Sequence, residues 1–202
     1  MKLYFSPGAC SLAPHIVLRE AGLPFTLEKV DLAKHTTAAG TDFYGITTKG
    51  QVPLLQLDDG QVLSEGPVIC QYVADQAGST TLLPAAGTLA RYRVMEWQNF
   101  LTSEMHKSFS PLFNPAMDAA GKAVFSAALR KKFEWIDSRL SDFQHLTGDA
   151  FTVADAYLFA IAGWSKFVNL DIADLRHLQR ALKQTSERPA VQAAMRAEGL
   201  IS

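Results

Sequence analysis

Gly50-Gln51-Val52-Pro53-Leu54-Leu55-Gln56-Leu57-Asp58-Asp59-Gly60-Gln61-Val62-Leu63-Ser64-Glu65-Gly66-Pro67 carries the densest run of structural signals in this chain. Leu54 to Leu57 and Gln61 to Leu63 are short apolar runs separated by Asp58-Asp59-Gly60, and Asp-Gly favours a tight hairpin because both positions tolerate positive φ. Pro53 stands just ahead of the first run, where a missing N–H does least harm to a ladder. The segment therefore predicts a hairpin at a sheet edge. It leaves the backbone of Val52 without a strand partner, and its N–H and C=O need partners elsewhere. A peptide-like ligand would supply them. Past the hairpin, Gly66-Pro67 predicts a helix start, since proline at the first helical position loses only an N–H that had no partner. Free N–H groups and the helix dipole beside Glu65 make a pocket for a carboxylate, with an acidic side chain ready for an ammonium. The ligand implied is a small zwitterion containing an amide. The same residues also read as a plain hairpin followed by a helix, and the rest of the chain decides between the two.

Upstream, Leu3-Tyr4-Phe5 reads as a strand stopped by Ser6-Pro7-Gly8. Cys10-Ser11 then precedes a helical pattern, Leu12, Ala13, Ile16 and Val17, that closes at Ala21-Gly22, with Pro14 tolerated in the first turn. This register puts Cys10 at a helix N-terminus, where the dipole favours thiolate over thiol and a lowered pKa is expected. Ser11 reads as the cap of the same helix. Phe25 to Leu32 is a second strand, and strand, helix and strand make a βαβ unit with parallel strands. Ala33 to Lys49 reads as a loop with a short helix. A helix from Pro67 to about Ala77 follows the hairpin, with Val68, Ile69, Tyr72 and Val73 inward and Gly78 as its end. The order βαβ then ββα is thioredoxin-like, an α/β domain complete over residues 1–78.

Residues 79–88 contain Pro84 and Gly87 without periodicity and read as a linker, and residues 89–202 read as an all-α helical bundle domain. Leu89 to about Phe109 predicts one long helix with Val94, Trp97, Leu101 and Met105 on its apolar stripe and Asn99, Ser103 and His106 on the other face, ended by Pro111 and Pro115. A second long helix from about Asp118 to Leu140 follows Phe125, Leu129, Phe133, Ile136 and Leu140. Thr152 and Asp155 stand at capping-box spacing ahead of a helix, Ala156 to Phe167, that is apolar on nearly all sides and so belongs at the centre of the bundle. Two shorter helices, about Ile172 to Ser186 and Ala190 to Glu198, close the chain.

Composition bounds the partners. A net charge of -1 gives no electrostatic reason for nucleic acid or an anionic membrane. Two cysteines, Cys10 and Cys70, are too few for a disulfide framework, and with no secretory signal the expected location is the cytoplasm. His15, His145 and His177 are scattered without a second ligand at metal spacing, so no metal is implied.

Several of these motifs together carry a resemblance. Ser6-Pro7-Gly8-Ala9-Cys10-Ser11, Lys49-Gly50-Gln51-Val52-Pro53, Leu63-Ser64-Glu65-Gly66, Asn99 to Lys107 and the Thr152-Asp155 box resemble, over the whole chain, a glutathione transferase of the bacterial beta class with cysteine in the active site. The resemblance implies a glutathione-binding thioredoxin-like domain, a helical domain with a second-substrate cavity for a hydrophobic electrophile, and a homodimer with the sites at its interface. It implies a cis bond at Pro53, a Val52 backbone that pairs with the cysteinyl part of glutathione, and Glu65 with the Gly66 amide on the γ-glutamyl end. It further implies that Ala9, Cys10 and His35 contact glutathione, as do Asn99, Ser103, Glu104, Met105 and His106 from the helical half, some across the dimer. Cys10 and His106 are the catalytic candidates.

Two residues depart from the pattern. Many relatives carry lysine at His35, and histidine, with an ordinary pKa of about 6.5, makes a weaker and pH-dependent contact with the glycyl carboxylate. Many carry serine at Gly66, which leaves only the backbone N–H here. Both imply modest affinity for glutathione. Cys70 reads as a core thiol and Trp164 as core or a wall of the second-substrate cavity. Three functions follow from the residues: conjugation of glutathione to hydrophobic electrophiles, thiol-disulfide exchange through a mixed disulfide at Cys10, or non-catalytic binding on a retained fold. The last accounts poorly for Cys10, Pro53, Glu65 and His106 occurring together.

Overall fold

The computed structural model describes residues 1–202. Its first half is a five-stranded mixed sheet in the order β3-β2-β1-β4-β5, formed by β1 (Lys2–Phe5), β2 (Thr26–Asp31), β3 (Thr36–Thr37), β4 (Leu54–Gln56) and β5 (Val62–Ser64). β1 and β2 run parallel with Lys2 opposite Thr26, because the crossover helix α1 (Leu12–Glu20) returns the chain in the same direction. β4 is antiparallel to β1, with Leu3 opposite Leu55, and β5 forms the edge, with Leu54 opposite Ser64. The thioredoxin-like arrangement is present.

Strand alternation divides the core. Leu3, Phe5 and Leu55 point to one face of the sheet and join a core of 41 buried residues, whereas Tyr4, Val30 and Leu54 point to the other and meet Phe43 and Val52. The weakly patterned 33–49 segment covers this second face: it supplies β3 and a short 3₁₀ turn, Phe43–Gly45, that sets Phe43 wholly inside. The two-residue strand β3 was not foreseen, since its pairing depends on neighbours. The hairpin departs from a two-residue turn. Gly60 donates to the carbonyl of Leu57 and takes φ +87 while Asp59 stays out of the left-handed region, so the loop is three residues ended by a bulge glycine.

α2 (Gly66–Gln76) begins one residue before Pro67, and its inward face is Ile69, Cys70, Val73 and Ala74. Val68, expected inward, is turned to solvent, 46% exposed, because the stripe that packs on the core passes through Ile69, Cys70, Val73 and Ala74, to one side of it. α1 is buried from Leu12 through Leu18, since it lies between the sheet and the helices that follow.

Residues 77–88 contain no helix or strand, and the remainder is helical. α3 (Leu89–Phe100) continues through a π-helical turn, Leu101–His106, into α4 (Lys107–Phe113), so the helix runs past Pro111 and ends at Phe113, beyond the expected stop at Phe109. α5 (Ala119–Arg139) is followed by α6 (Val153–Ala162), a 3₁₀ stretch Gly163–Val168, α7 (Arg176–Ser186) and α8 (Pro189–Ala197). The expected capping box is formed: the Asp155 carboxylate accepts from Thr152 N at 2.9 Å, Thr152 Oγ1 at 2.8 Å and Leu146 N at 2.9 Å. α6 is the central helix, wholly buried except at Phe159. The main core runs from Leu3 to Ala194 without a break between the two halves. No helix is long and apolar enough to cross a membrane.

Candidate active site

The site is built where the β1–α1 turn, the start of α2 and the centre of the helical half meet. Cys10 sits one residue before the N-cap of α1, and its Sγ donates to the carbonyl of Val52 at 3.5 Å. The Val52-Pro53 bond is cis, and the Val52 N–H donates to no group of the chain. Ser11 does not cap α1 with its side chain. Its hydroxyl instead accepts from Ser6 N and donates to Ser6 O, both at 3.2 Å, which fixes the turn that carries Cys10.

The expected low pKa at Cys10 is corrected. Burial pushes the thiol up to about 11, outweighing the backbone N–H groups of Cys10 and Ser11, and the Glu65 carboxylate raises it further. A single helix end supplies too little to offset lost hydration. Cys70 is fully buried, as a core thiol should be.

Glu65 caps α2 with φ +69, a backbone that costs a non-glycine residue on the order of 1–3 kcal/mol and that persists where the surroundings enforce it. Its carboxylate is paired with Lys49 Nζ at 2.7 Å, with 54% of the lysine and 64% of the glutamate side chain exposed. So open a pair contributes at most about 1 kcal/mol and yields easily to a ligand ammonium. Lys49 lies within the quoted motif, but nothing in its spacing shows that it folds back over Glu65.

Gly66 has a different reason than the one expected from its lost hydroxyl. A Cβ there would stand 3.0 Å from Cε2 of Tyr157, so the tyrosine ring of α6 occupies the space a larger residue needs. His35, also at positive φ, stacks on Tyr44 with ring centroids 4.4 Å apart, and its Nε2 lies 3.2 Å from the Tyr44 hydroxyl. Gly50 makes this possible: with φ +59, a Cβ on it would stand 2.5 Å from Tyr44 and 3.0 Å from His35 Nδ1. His35 is thus engaged within its own loop.

From the helical half, His106 closes the π-helical turn, a local register change often found at functional positions. Its Nδ1 lies 2.8 Å from the Tyr157 hydroxyl, and its ring meets Trp164 edge-on at 4.8 Å. Burial, with the neighbouring Lys107 charge, lowers its pKa to about 4, so the ring is neutral at pH 7. Burial likewise raises the Tyr157 phenol, helped by Cys10, Cys70 and Glu65, and keeps it protonated. Trp164 Nε1 donates to the carbonyl of Gly8 at 2.8 Å, tying the helical half to the turn before Cys10.

Other predicted site residues fall elsewhere. Met105 is 0% exposed and belongs to the core, a correction that follows from its place on the apolar stripe. Asn99, Ser103 and Glu104 stand on the exposed face of the same helix: Ser103 Oγ donates to the Asn99 carbonyl at 2.9 Å, and Glu104 pairs with Lys132 of α5 at 2.9 Å. Ala9 lines a cavity of about 770 Å³ beside the turn, walled by Pro7, Gly8 and Leu12 on one side and by Phe113, Phe159, Trp164, Phe167 and Leu200 on the other. Tyr157 and Glu198, which accepts from Gly8 N at 2.9 Å, were not singled out from sequence. A hydroxyl within the most apolar helix was the available signal for Tyr157, because a buried phenol seeks a partner.

The model of the glutathione S-transferase N-terminal domain matches residues 8–76, and that of the C-terminal domain residues 116–197. The chain is 44% identical to glutathione S-transferase GstA of Escherichia coli O157:H7, across 99% of this chain and 100% of that one. Among solved structures it is similar to BphK, a bacterial glutathione S-transferase seen in a ternary complex, at 51% identity and a TM-score of 0.96 over 98% of this chain and 100% of the other. It is also similar to a bacterial beta class glutathione S-transferase of Sphingomonas chungbukensis, at 45% identity and a TM-score of 0.95 over 100% of both chains.

Proposed function

Since the chain belongs to the glutathione S-transferase family, in its bacterial beta class, we propose that this transferase joins the glutathione thiol to hydrophobic electrophiles at the junction of Cys10, Val52, Glu65 and His106. The observations that carry the reading are an unpaired Val52 N–H, the Glu65 carboxylate at the N-terminus of α2, and an apolar cavity of about 770 Å³ that borders the Pro7–Ala9 turn leading to Cys10. The first two suit the cysteinyl amide and the γ-glutamyl ammonium of glutathione, the α2 N-terminus suits its α-carboxylate, and the aromatic walls suit an apolar co-substrate that must be kept from water. Residues 1–78 hold glutathione in this reading, and residues 89–202 complete the cavity. Asn99, Ser103 and Glu104, exposed on one helix face, fit contacts made across a homodimer.

Cys10 as a protonated thiol suits conjugation, in which glutathione supplies the nucleophile and Cys10 remains a hydrogen-bond donor. A mixed disulfide is the second activity. The Cys10 thiolate would attack oxidised glutathione, form the Cys10–glutathione S–S bond and release one glutathione thiolate, and a thiol pushed up to about 11 makes this slow at neutral pH.

Calorimetric titration of the reduced protein with glutathione, followed by assay with aromatic halides and enones, tests the reading. Binding in the micromolar to millimolar range that is lost in Glu65→Ala, with a conjugation rate above the uncatalysed one, is the expected result. No binding heat at several millimolar would leave non-catalytic binding as the function.

A further inference from the structure

Tyr157 is 2% exposed and its hydroxyl has a single partner, Nδ1 of His106 at 2.8 Å. The proton on that bond follows from what else is near. If Nδ1–H donated to the phenol oxygen, the phenol's own hydrogen would be buried with no acceptor, at a cost of about 1–3 kcal/mol. The alternative satisfies both groups: the phenol donates and Nδ1 accepts. A neutral imidazole that accepts at Nδ1 carries its hydrogen on Nε2. Nε2 of His106 bonds to no group of the chain and is not closed off in the interior, so that N–H is open to solvent. The edge-on Trp164 at 4.8 Å keeps the ring from turning, and Trp164 is itself anchored to Gly8. The tyrosine is fixed in turn by Gly66, whose missing side chain leaves its ring edge room at the start of α2.

We propose that Tyr157 is a positioning residue that locks His106 in the Nε2–H tautomer, so that the imidazole presents a hydrogen-bond donor and no lone pair at its open edge. The inference rests on the conjugation reading for its use and on geometry for its existence. In that reading an N–H facing the glutathione sulfur would stabilise its thiolate, and His106 Nε2 would not be the group that takes the thiol proton. It also ties three elements together: Gly66 of α2 makes room for Tyr157 of α6, which orients His106 at the end of the π-helical turn.

The test is nitrogen-15 NMR of the whole protein labelled at histidine, with the His106 signals identified by their loss in His106→Gln. The expected spectrum at neutral pH has an unprotonated Nδ1 and a protonated Nε2 for His106. In Tyr157→Phe, which keeps the ring, the two signals should move toward each other as the tautomers mix. The same variant should lose about tenfold in kcat for conjugation, the scale of one hydrogen bond, with KM for glutathione nearly unchanged. A protonated Nδ1 in the unaltered protein overturns the proposal, and so do Tyr157→Phe signals identical to those of the unaltered protein. Should Tyr157→Phe not fold, Gly66→Ala, which presses a methyl to 3.0 Å from the ring, provides the second perturbation and should mix the tautomers in the same direction. Absence of conjugation with every electrophile would remove the functional reading alone, because the tautomer is read without turnover.

Discussion

His15 Nδ1 and Glu198 Oε1 lie 2.8 Å apart with both side chains at 0% exposure, joining the first helix to the residue that ends the last. Arg19 Nε donates to His15 Nε2 at 2.9 Å, so His15 accepts there and donates through Nδ1 to the carboxylate, whose other oxygen accepts from Gly8 N. One buried carboxylate thus holds the turn before Cys10 from the far end of the chain. Glu198→Ala would leave the buried His15 Nδ1–H and the half-buried Gly8 N–H without their acceptor and should cost about 2–4 kcal/mol, read as a lower midpoint in urea unfolding. A loss under 1 kcal/mol would show that the linkage is dispensable.

Asp155 closes the start of the central helix with three hydrogen bonds from Leu146 and Thr152. Asp155→Ala should destabilise by about 2–4 kcal/mol, more than an exposed cap, because the freed N–H groups are buried. Thermal unfolding measures this, and Asp155→Asn should recover part of the loss.

His106, lowered to about 4 from an ordinary 6.5, binds fewer protons in the native state than in the unfolded chain between those values. Its contribution to stability is complete above pH 6.5 and is lost as pH falls through about 4. Between pH 7 and pH 4 the unaltered protein should therefore lose on the order of 2 kcal/mol more than His106→Gln, measured by denaturant titration at each pH. Equal losses would place the imidazole in a solvated setting.

Cys10 runs the other way. Raised to about 11 from an ordinary 9.0, its contribution to stability is present below pH 9 and is lost as pH rises through 11. Alkylation of the free enzyme by iodoacetamide should accelerate roughly tenfold per pH unit from neutrality and level off only near pH 11, as thiolate is the reacting form. A plateau below pH 9 would contradict the dominance of burial.

His35, held on Tyr44 at positive φ, is a weak partner for a ligand carboxylate. His35→Lys, which puts a flexible ammonium in its place, should tighten glutathione binding several-fold, and calorimetry would detect it. Unchanged affinity would mean that position 35 does not face the glycyl end.

The amino-acid sequence by itself determined the order of elements, the hairpin, the helix start at Gly66, the capping box at Thr152-Asp155 and the Cys10 turn, since these are local matters of periodicity, turn chemistry and backbone permission. Only the tertiary structure decided the rest. β3 exists because β2 stands beside it. Val68 faces outward because the face of α2 that packs on the core is centred on Ile69, Cys70 and Val73. The Cys10 thiol stays protonated because burial, a sum over distant neighbours, outweighs the helix end that sequence reveals. Lys49 with Glu65, Tyr157 with His106 and Glu198 with His15 are pairs separated along the chain, and no spacing rule connects such partners. Their geometry is set by how the helical half packs on the sheet, and that packing is also what makes the site.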